Sequence, residues 1–194
     1  MNSNRNITDI AVIGIACQFP GSKNVTQFWE NLLKGKEGIR FFDVDNIGKL
    51  ATKNNVPAKG YLDGLENFDA KFFKFSHAEA EILDPQHRLF LQECYLALED
   101  AGYNPFDMRV PVGVYAGCGM NDYTRLIYKS NKQNKAITDY QIKIHNSPDF
   151  LCSLVSYKLN LNGPAVTIQT ACSSSLVSID QACTDIRIGK CDMA

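Results

Sequence analysis

The sequence predicts an α/β fold, because apolar segments of strand length alternate with segments whose apolar residues recur at helical spacing. Residues 10–16 and 112–117 are apolar at nearly every position, as in strands that are covered on both faces. Residues 165–170 predict a further strand, since β-branched side chains predominate there and a Gly-Pro pair precedes them. Such strands form a largely buried sheet with helices packed against it.

Two helices are predicted in the first half of the chain. The first is expected to begin with an N-cap at Thr26, to end at Gly35 and to pack its apolar side into the core. The second begins at Asp84 and Pro85, a capping carboxylate followed by proline, and it ends at Gly102. The apolar side of the first helix consists of Phe28, Trp29, Leu32 and Leu33, and that of the second of Phe90, Cys94, Ala97, Leu98 and Ala101.

Two more helices are predicted towards the C-terminal end. Residues 149–159 carry apolar side chains at positions that share one helical face. A second apolar series with helical spacing starts after Ser173 and comprises Leu176, Val177, Ile179, Ala182, Cys183 and Ile186. Residues 124–148 show no clear period, and no secondary structure is assigned to them.

Residues 36–76 form the least regular part of the sequence. Residues 53–57 have the composition of an exposed loop. A group of phenylalanines follows beside lysines, a mixture that also occurs in proteins that bind single-stranded nucleic acid. Acidic residues nearby cancel the basic character, so a packed loop is predicted instead. These phenylalanines are Phe68, Phe72, Phe73 and Phe75.

The composition argues against several classes of function. With 20 basic and 21 acidic side chains among 194 residues, the net charge of −1 favours neither nucleic acid nor a membrane as partner. No apolar run reaches about 18 residues, so no membrane-spanning helix is expected. Seven cysteines, an odd number without a secretion signal, predict free thiols in a reducing compartment such as the cytoplasm. The sequence contains no Cys-x-x-Cys pair and no His/Cys cluster at metal spacing, so no metal site is predicted.

Cys172 lies where the predicted strand at 165–170 meets the helix that starts near Ser173. A strand that turns sharply into a helix exposes the residue at the corner, as in a nucleophile elbow. Unpaired N–H groups and the positive end of the helix dipole stabilise negative charge there, which favours a thiolate. The N–H of Cys172 is also placed to donate to an oxyanion on a bound acyl carbonyl. The alternative is a buried structural cysteine, the role expected of the other six.

Two other features carry weaker functional signals. His87, in the first turn of the second helix, has the chemistry of a proton shuttle, but a surface or interface histidine is expected there. Glycines at 117 and 119 end a predicted strand, where they permit close approach of a ligand or of other backbone. A phosphate-binding loop is not favoured, because no Gly-Lys-Ser/Thr segment follows.

Six motifs follow one another along the chain. They are residues 13–21, 68–73, Asp84-Pro85-Gln86-His87-Arg88, 97–102, 156–159 and Thr170-Ala171-Cys172-Ser173-Ser174-Ser175-Leu176. In this order they resemble the N-terminal half of a β-ketoacyl synthase of the modular polyketide synthase type. In that family the last motif surrounds the cysteine that accepts the acyl group, which matches Cys172 here. The resemblance covers residues 9–194 and leaves residues 1–8 as a polar tail.

The resemblance implies a thiolase-like fold, in which two similar α/β halves stack into five αβαβα layers and this chain supplies the first half. It implies an acyltransferase of the 3-oxoacyl-[acyl-carrier-protein] synthase type in polyketide or fatty acid biosynthesis. An acyl group moves from a carrier-protein thioester to Cys172, and decarboxylative Claisen condensation with a malonyl-type extender follows. The expected partners are acyl carrier protein, acyl and malonyl-type thioesters and, in the complete enzyme, a second copy forming a homodimer. The carrier supplies the phosphopantetheine arm, so no cofactor of the chain's own is expected.

The sequence also departs from the family pattern. The family uses two histidines and a lysine downstream of the cysteine, whereas His77, His87 and His145 all precede Cys172. The sequence ends within or just after the helix that follows the nucleophile, so a truncated chain with little turnover of its own is expected. Residues 152–154 are Cys-Ser-Leu, where related sequences often have Ala-Thr-Arg.

Two alternative functions follow from these departures. A natural ketosynthase fragment without catalytic activity would act as a binding or scaffolding module. A cysteine hydrolase built on the same corner would need a base and an orienting acid after the nucleophile. Such a pair is not present after Cys172, so the hydrolase is not favoured.

Overall fold

The computed structural model describes residues 9–42, 56–130 and 137–194, which divide into two compact units. Of these residues, those up to Gly14 and from Phe68 onward form the larger unit, and Ile15–Asn67 forms the smaller one. The predicted polar tail at 1–8 and residues 53–55 of the predicted loop lie outside the described residues.

The smaller unit contains one helix and a two-stranded antiparallel sheet. The helix is Val25–Leu33 (α1), and the strands are Ile39–Phe41 (β1) and Ala58–Gly60 (β2). The N-cap is Asn24, whose side chain accepts a hydrogen bond from the N–H of Gln27 at 2.9 Å. The prediction of Thr26 as cap was therefore wrong, because the stronger capping side chain lies two positions earlier.

The apolar side of α1 is not part of a core within the described residues. No residue of α1 is buried, and Trp29 is 60% exposed. The prediction that this helix packs into a core is thus wrong here, although Gly35 follows its end with a φ of 60°, as a helix stop requires. Helical spacing identified the helix correctly, but spacing alone does not show what covers the apolar side.

The larger unit is organised on two short parallel strands. Val114–Ala116 (β3) pairs with Ala165–Thr167 (β4), with Val114 opposite Ala165. On the other side of β3, the N–H of Gly113 donates to the carbonyl of Met193 at 2.8 Å. The segment around β3 is therefore central, which agrees with the apolar strand predicted at 112–117.

Helices cover both faces of this sheet and form α-β-α layers, as predicted. Pro85–Asp100 (α3) and Leu151–Leu159 (α6) pack together, and α6 also packs on β3 and β4. Ser174–Arg187 (α7) contacts β3, where the hydroxyl of Tyr115 donates to Asp185 at 2.8 Å. The core between the sheet and α6 includes Val114, Ala116, Cys152, Val155 and Leu159.

The ends of α3 and α6 follow from their sequences. Asp84 accepts the N–H of Gln86 at 2.8 Å, Pro85 occupies the first helical position, and Gly102 follows the end with a φ of 80°. Asn160 ends α6 in the left-handed conformation, with a φ of 53°. Both helices were predicted within one or two residues of these limits.

The predicted packed loop before α3 is confirmed. The rings of Phe68 and Phe73 stack at 5.5 Å between centroids, and Phe72 meets Tyr95 of α3 edge to face at 5.0 Å. Phe73 and Phe75 are buried. Phe68, Phe73 and Phe75 belong to the core of the larger unit, whereas Phe72 packs on Tyr95 at its edge and is 41% exposed.

The region that the sequence left unassigned contains helices. They are Tyr123–Ser130 (α4) and Asp139–Asn146 (α5). Outside that region, a shorter helix, His77–Ile82 (α2), precedes α3. The cap of α5 is reciprocal, because Thr138 bonds the backbone of Gln141 and Gln141 bonds the backbone of Thr138. This pair was the sequence signal that could have identified the helix.

Residues 10–16 do not form a strand, contrary to prediction. Val12 is 86% exposed, and no described strand pairs with this segment. Gly14 lies against α3, where an added Cβ would be 2.8 Å from the Cβ of Ala101. An apolar run becomes a strand only when its backbone groups find a partner strand, and none is found among the described residues.

His87 is fully buried, so the prediction of a surface or interface histidine was wrong. Neither ring nitrogen has a hydrogen-bond partner within the described residues. Burial lowers the pKa of His87 from its usual 6.5, because desolvation disfavours the imidazolium, and the opposing effect of Asp84 is smaller. The apolar spacing of α3 did not include position 87, which is why the sequence pattern missed this side chain.

We expect the free energy of unfolding to decrease as the pH falls below about 6.5, because the unfolded chain then binds a proton at His87 that the folded chain excludes. One such site gives a slope of at most about 1.4 kcal/mol per pH unit. Urea unfolding at several pH values measures it. His87→Leu should remove this slope, and His77→Gln, at an exposed position on α2, should keep it. If the free energy of unfolding of His87→Leu kept the same dependence on pH, the attribution of that dependence to His87 would be wrong.

Candidate active site

Cys172 lies at a corner between β4 and α7. The strand ends at Thr167, three residues earlier than predicted, and Ala171–Ser173 form a single 3-10 turn that leads into α7. Cys172, in the middle of this turn, is exposed. The structure therefore places the predicted residue on a strand-to-helix corner and leaves its thiol accessible.

The backbone at this corner is strained. Ala171 has a φ of 53°, a left-handed conformation that costs a residue with a side chain about 1–3 kcal/mol. Ser174 holds it from both sides, since its hydroxyl donates to the carbonyl of Ala171 at 2.8 Å and accepts from the N–H of Thr170 at 3.0 Å. The hydroxyl of Ser173 donates to the carbonyl of Thr170 at 2.8 Å. These bonds fix the turn that carries Cys172.

Residues 117–119, which we call the glycine strip, continue β3 and lie against this corner. A Cβ added to Gly117 would be 2.3 Å from the carbonyl oxygen of Ile168 and 3.0 Å from the Cβ of Ser174. The side-chain amide of Gln169 donates to the carbonyl of Cys118 at 2.9 Å. The sequence predicted close approach by backbone or ligand at these glycines, and the neighbour is the backbone of Ile168 at Gly117 and the side chain of Gln86 at Gly119.

The side of α7 that faces the sheet is polar. Ser178 and Asp185 are its buried residues, and Asp185 accepts hydrogen bonds from Tyr115 at 2.8 Å and from Lys190 at 3.0 Å. The bonds from Lys190 and Tyr115 lower the pKa of Asp185. Of the predicted apolar series, Leu176, Val177 and Ile179 are exposed, and Ala182, Cys183 and Ile186 are half-buried. Directional bonds to Asp185 thus set the rotation of α7 against β3.

The other six cysteines are less exposed than Cys172, and all seven lie within the described residues. Burial raises the pKa of Cys94 to about 12 and also raises the pKa values of Cys118 and Cys152. The thiol of Cys152 donates to the carbonyl of Val166 at 3.2 Å in the core. These three thiols are held in the protonated, unreactive form, whereas Cys172 is open to reagents.

Sequence reasoning missed the residues that support the corner. The side chains of Gln86 and Gln169 bond backbone groups 33 and 51 residues away, and that of Ser174 bonds the backbone of the adjacent turn. Ser174 lies in the motif at 170–176 and near the predicted start of a helix, but no supporting role was predicted for its side chain. No local pattern signals Gln86, because its partner Gly119 is 33 residues away along the chain.

Curated relatives of this chain are modular polyketide synthases. It is 40% identical over 199 residues to a phenolphthiocerol/phthiocerol polyketide synthase of Mycobacterium tuberculosis, covering 95% of this chain and 13% of that protein. It is 39% identical to polyketide synthase PksL of Bacillus subtilis, covering 95% of this chain and 4% of that protein. The chain thus spans a small part of the relatives that it matches.

Solved structures with the same fold are ketosynthase domains. Ketosynthase twelve of the bacillaene polyketide synthase of Bacillus amyloliquefaciens superimposes with a TM-score of 0.80 and 36% identity, over 93% of this chain and 31% of that one. The module 1 ketosynthase of the bacillaene synthase of Bacillus amyloliquefaciens FZB42 gives a TM-score of 0.79 and 36% identity, over 93% and 33%. The fold is the N-terminal half of the thiolase-like fold.

The larger unit thus combines α-β-α layers with a strained strand-to-helix corner that carries an exposed cysteine. The model of the β-ketoacyl synthase N-terminal domain matches residues 8–194. The chain belongs to the β-ketoacyl synthase family, and its similarity is to the ketosynthases of polyketide synthases. In the part of the chain that the structure describes, no helix has the length and apolar character needed to cross a membrane.

We expect iodoacetamide to alkylate Cys172 faster than the other six cysteines, because it is the exposed thiol and lies at the start of a helix. Peptide mass spectrometry at several reaction times gives a rate for each site. Cys183, which lies on α7 and is partly buried, serves as the internal comparison. Equal rates at Cys172 and Cys183 would contradict an activated thiol at the corner.

Gly117→Ala is expected to destabilise the protein by about 1–3 kcal/mol, because the new methyl group overlaps the carbonyl oxygen of Ile168. Gly119→Ala is the matched control, since its Cβ would meet its nearest neighbour, Gln86 Oε1, at 3.4 Å. The control should change stability by less than about 1 kcal/mol. Chemical denaturation of both variants measures the difference, and equal effects would argue against the close approach at Gly117.

Proposed function

We propose that Cys172 is the acyl-accepting nucleophile of a polyketide-type ketosynthase. The observation that carries this proposal is an exposed thiol on a strained corner at the start of α7. Strained backbone at an exposed, chemically reactive side chain is typical of active sites. Membership of the β-ketoacyl synthase family supports the same assignment, since the motif at 170–176 matches the family's acyl-accepting segment.

The first half-reaction is transfer of an acyl group between two sulfur atoms. The thiolate of Cys172 attacks the carbonyl carbon of an acyl thioester, and the resulting oxyanion accepts a hydrogen bond from the N–H of Cys172. The bond from that carbon to the pantetheine sulfur then breaks, and the released thiolate takes up a proton. The products are acyl-Cys172 and a free carrier thiol, with no change in oxidation state.

The second half-reaction is the condensation of the complete enzyme. A malonyl-type thioester loses carbon dioxide, and the carbanion that forms attacks the carbonyl of acyl-Cys172. A carbon–carbon bond forms, the bond to sulfur breaks, and the Cys172 thiolate is regenerated. In the family this step uses two histidines and a lysine downstream of the cysteine. The role that we assign to Cys172 is the same in both half-reactions, since its sulfur first accepts the acyl group and then releases it.

The proposed partners follow from this chemistry. An acyl carrier protein presents acyl and malonyl-type thioesters on its phosphopantetheine arm, so the chain needs no cofactor of its own for either step. Polyketide extension is favoured over fatty acid synthesis, because the curated relatives reported above are polyketide synthases. A homodimer is proposed for the complete enzyme.

Incubation with an acyl-N-acetylcysteamine thioester tests the proposal. We expect intact-mass spectrometry to show one added acyl group, and peptide mapping to place it on Cys172. Cys172→Ala should abolish loading, because no acceptor sulfur remains, and Cys183→Ala should load as the parent chain does. Loading that persists in Cys172→Ala would overturn the assignment. A folded parent chain that never loads would instead favour the binding or scaffolding module.

A further inference from the structure

Gln86, in the first turn of α3, forms two hydrogen bonds to Gly119, the last residue of the glycine strip, through the oxygen and the nitrogen of its side-chain amide. Its Oε1 accepts the N–H of Gly119 at 2.8 Å, and its Nε2 donates to the carbonyl of Gly119 at 3.1 Å. The backbone N–H and carbonyl of Gly119 are thus both hydrogen-bonded to one side chain, which belongs to α3. Two bonds of this kind fix both the position and the orientation of the peptide that they hold.

The side chain of Gln86 is itself held in place. Its backbone N–H donates to Asp84 Oδ1 at 2.8 Å, and its Nε2 also lies 3.4 Å from Asp84 Oδ2. Asp84 is 1% exposed, and it accepts a further hydrogen bond from the side chain of Asn121. The N-cap of α3 and the two hydrogen bonds to Gly119 therefore belong to one hydrogen-bonded cluster around the buried carboxylate of Asp84.

The glycine strip connects Gln86 to the corner through its own contacts with residues 168, 169 and 174. Its middle residue, Cys118, accepts the side chain of Gln169 at 2.9 Å, three positions before Cys172. Its first residue, Gly117, leaves no space for a side chain beside Ile168 and Ser174. Displacement of the strip would therefore disturb the same bonds that hold Ala171 in its left-handed conformation.

We propose that Gln86 is a positioning residue, which keeps the glycine strip in the register that supports the corner at Cys172. It acts on Cys172 through Gly119, Cys118 and Gln169, and it does not touch the reacting atoms. Its effect on acyl transfer rests on the proposed function, whereas its effect on the backbone of the corner does not. Contiguity of contacts alone does not establish coupling, so the test requires a double-mutant cycle.

The first measurement is amide hydrogen exchange in Gln86→Met, which keeps the length of the side chain and removes both bonds to Gly119. We expect exchange of the peptide that spans 168–174 to rise about tenfold, the effect of two net hydrogen bonds, with exchange in α6 unaltered. Gln92→Met, on the same helix with a buried Oε1 that has no partner among the described residues, is the matched control and should match the parent chain.

The second measurement is the rate of acyl loading on Cys172 in Gln86→Met, Gln169→Met and the double variant. We expect each single variant to load about tenfold more slowly, and the double variant to load no more slowly than either, because both act through the glycine strip. A double variant whose loading rate falls by the product of the two single losses would overturn the positioning role. Faster amide exchange over the whole chain in Gln86→Met, rather than at 168–174, would also overturn it.

The two proposals fail in different ways. A parent chain that never loads acyl groups, but whose exchange at 168–174 rises in Gln86→Met, contradicts acyl transfer and leaves the positioning of the corner supported. A parent chain that loads normally, with loading and exchange both unaltered in Gln86→Met, contradicts the positioning role and supports acyl transfer.

Discussion

The close approach of the glycine strip to the backbone after β4 is the constraint on which the candidate site depends. Gly117 has space beside Ile168 and Ser174 only because it has no side chain. Ser174, held at this contact, bonds the backbone on both sides of the left-handed Ala171. The strain at Ala171 is thereby offset by hydrogen bonds and packing. The outcome is a turn that presents Cys172 to solvent while the other cysteines are partly or fully buried.

The helix that follows Cys172 is held by polar contacts on the side where most helices are apolar. Asp185 accepts hydrogen bonds from β3 and from Lys190, while Leu176 and Ile179 face outward. Apolar packing tolerates small rotations of a helix, but a carboxylate bonded to a tyrosine hydroxyl does not. Rotation of α7, and hence the direction of the turn that begins it, is set by this buried group.

Family membership and the local geometry support each other, but they carry different information. The match to the β-ketoacyl synthase N-terminal domain identifies the family to which the chain belongs. The geometry explains how a thiol is exposed at one position of a chain that has seven.

Local patterns in the sequence were sufficient to predict the α/β class, the strands around Val114 and Ala165, the limits of α3 and α6, and the corner at Cys172. These features depend on capping side chains, apolar periods and glycine stops, which lie within a few residues of each other. The folded chain was needed to show that His87 is buried, that residues 10–16 are not a strand and that Gln86 holds Gly119. Each of these depends on a partner far along the chain, or on the lack of one among the described residues, and a local pattern does not contain that information.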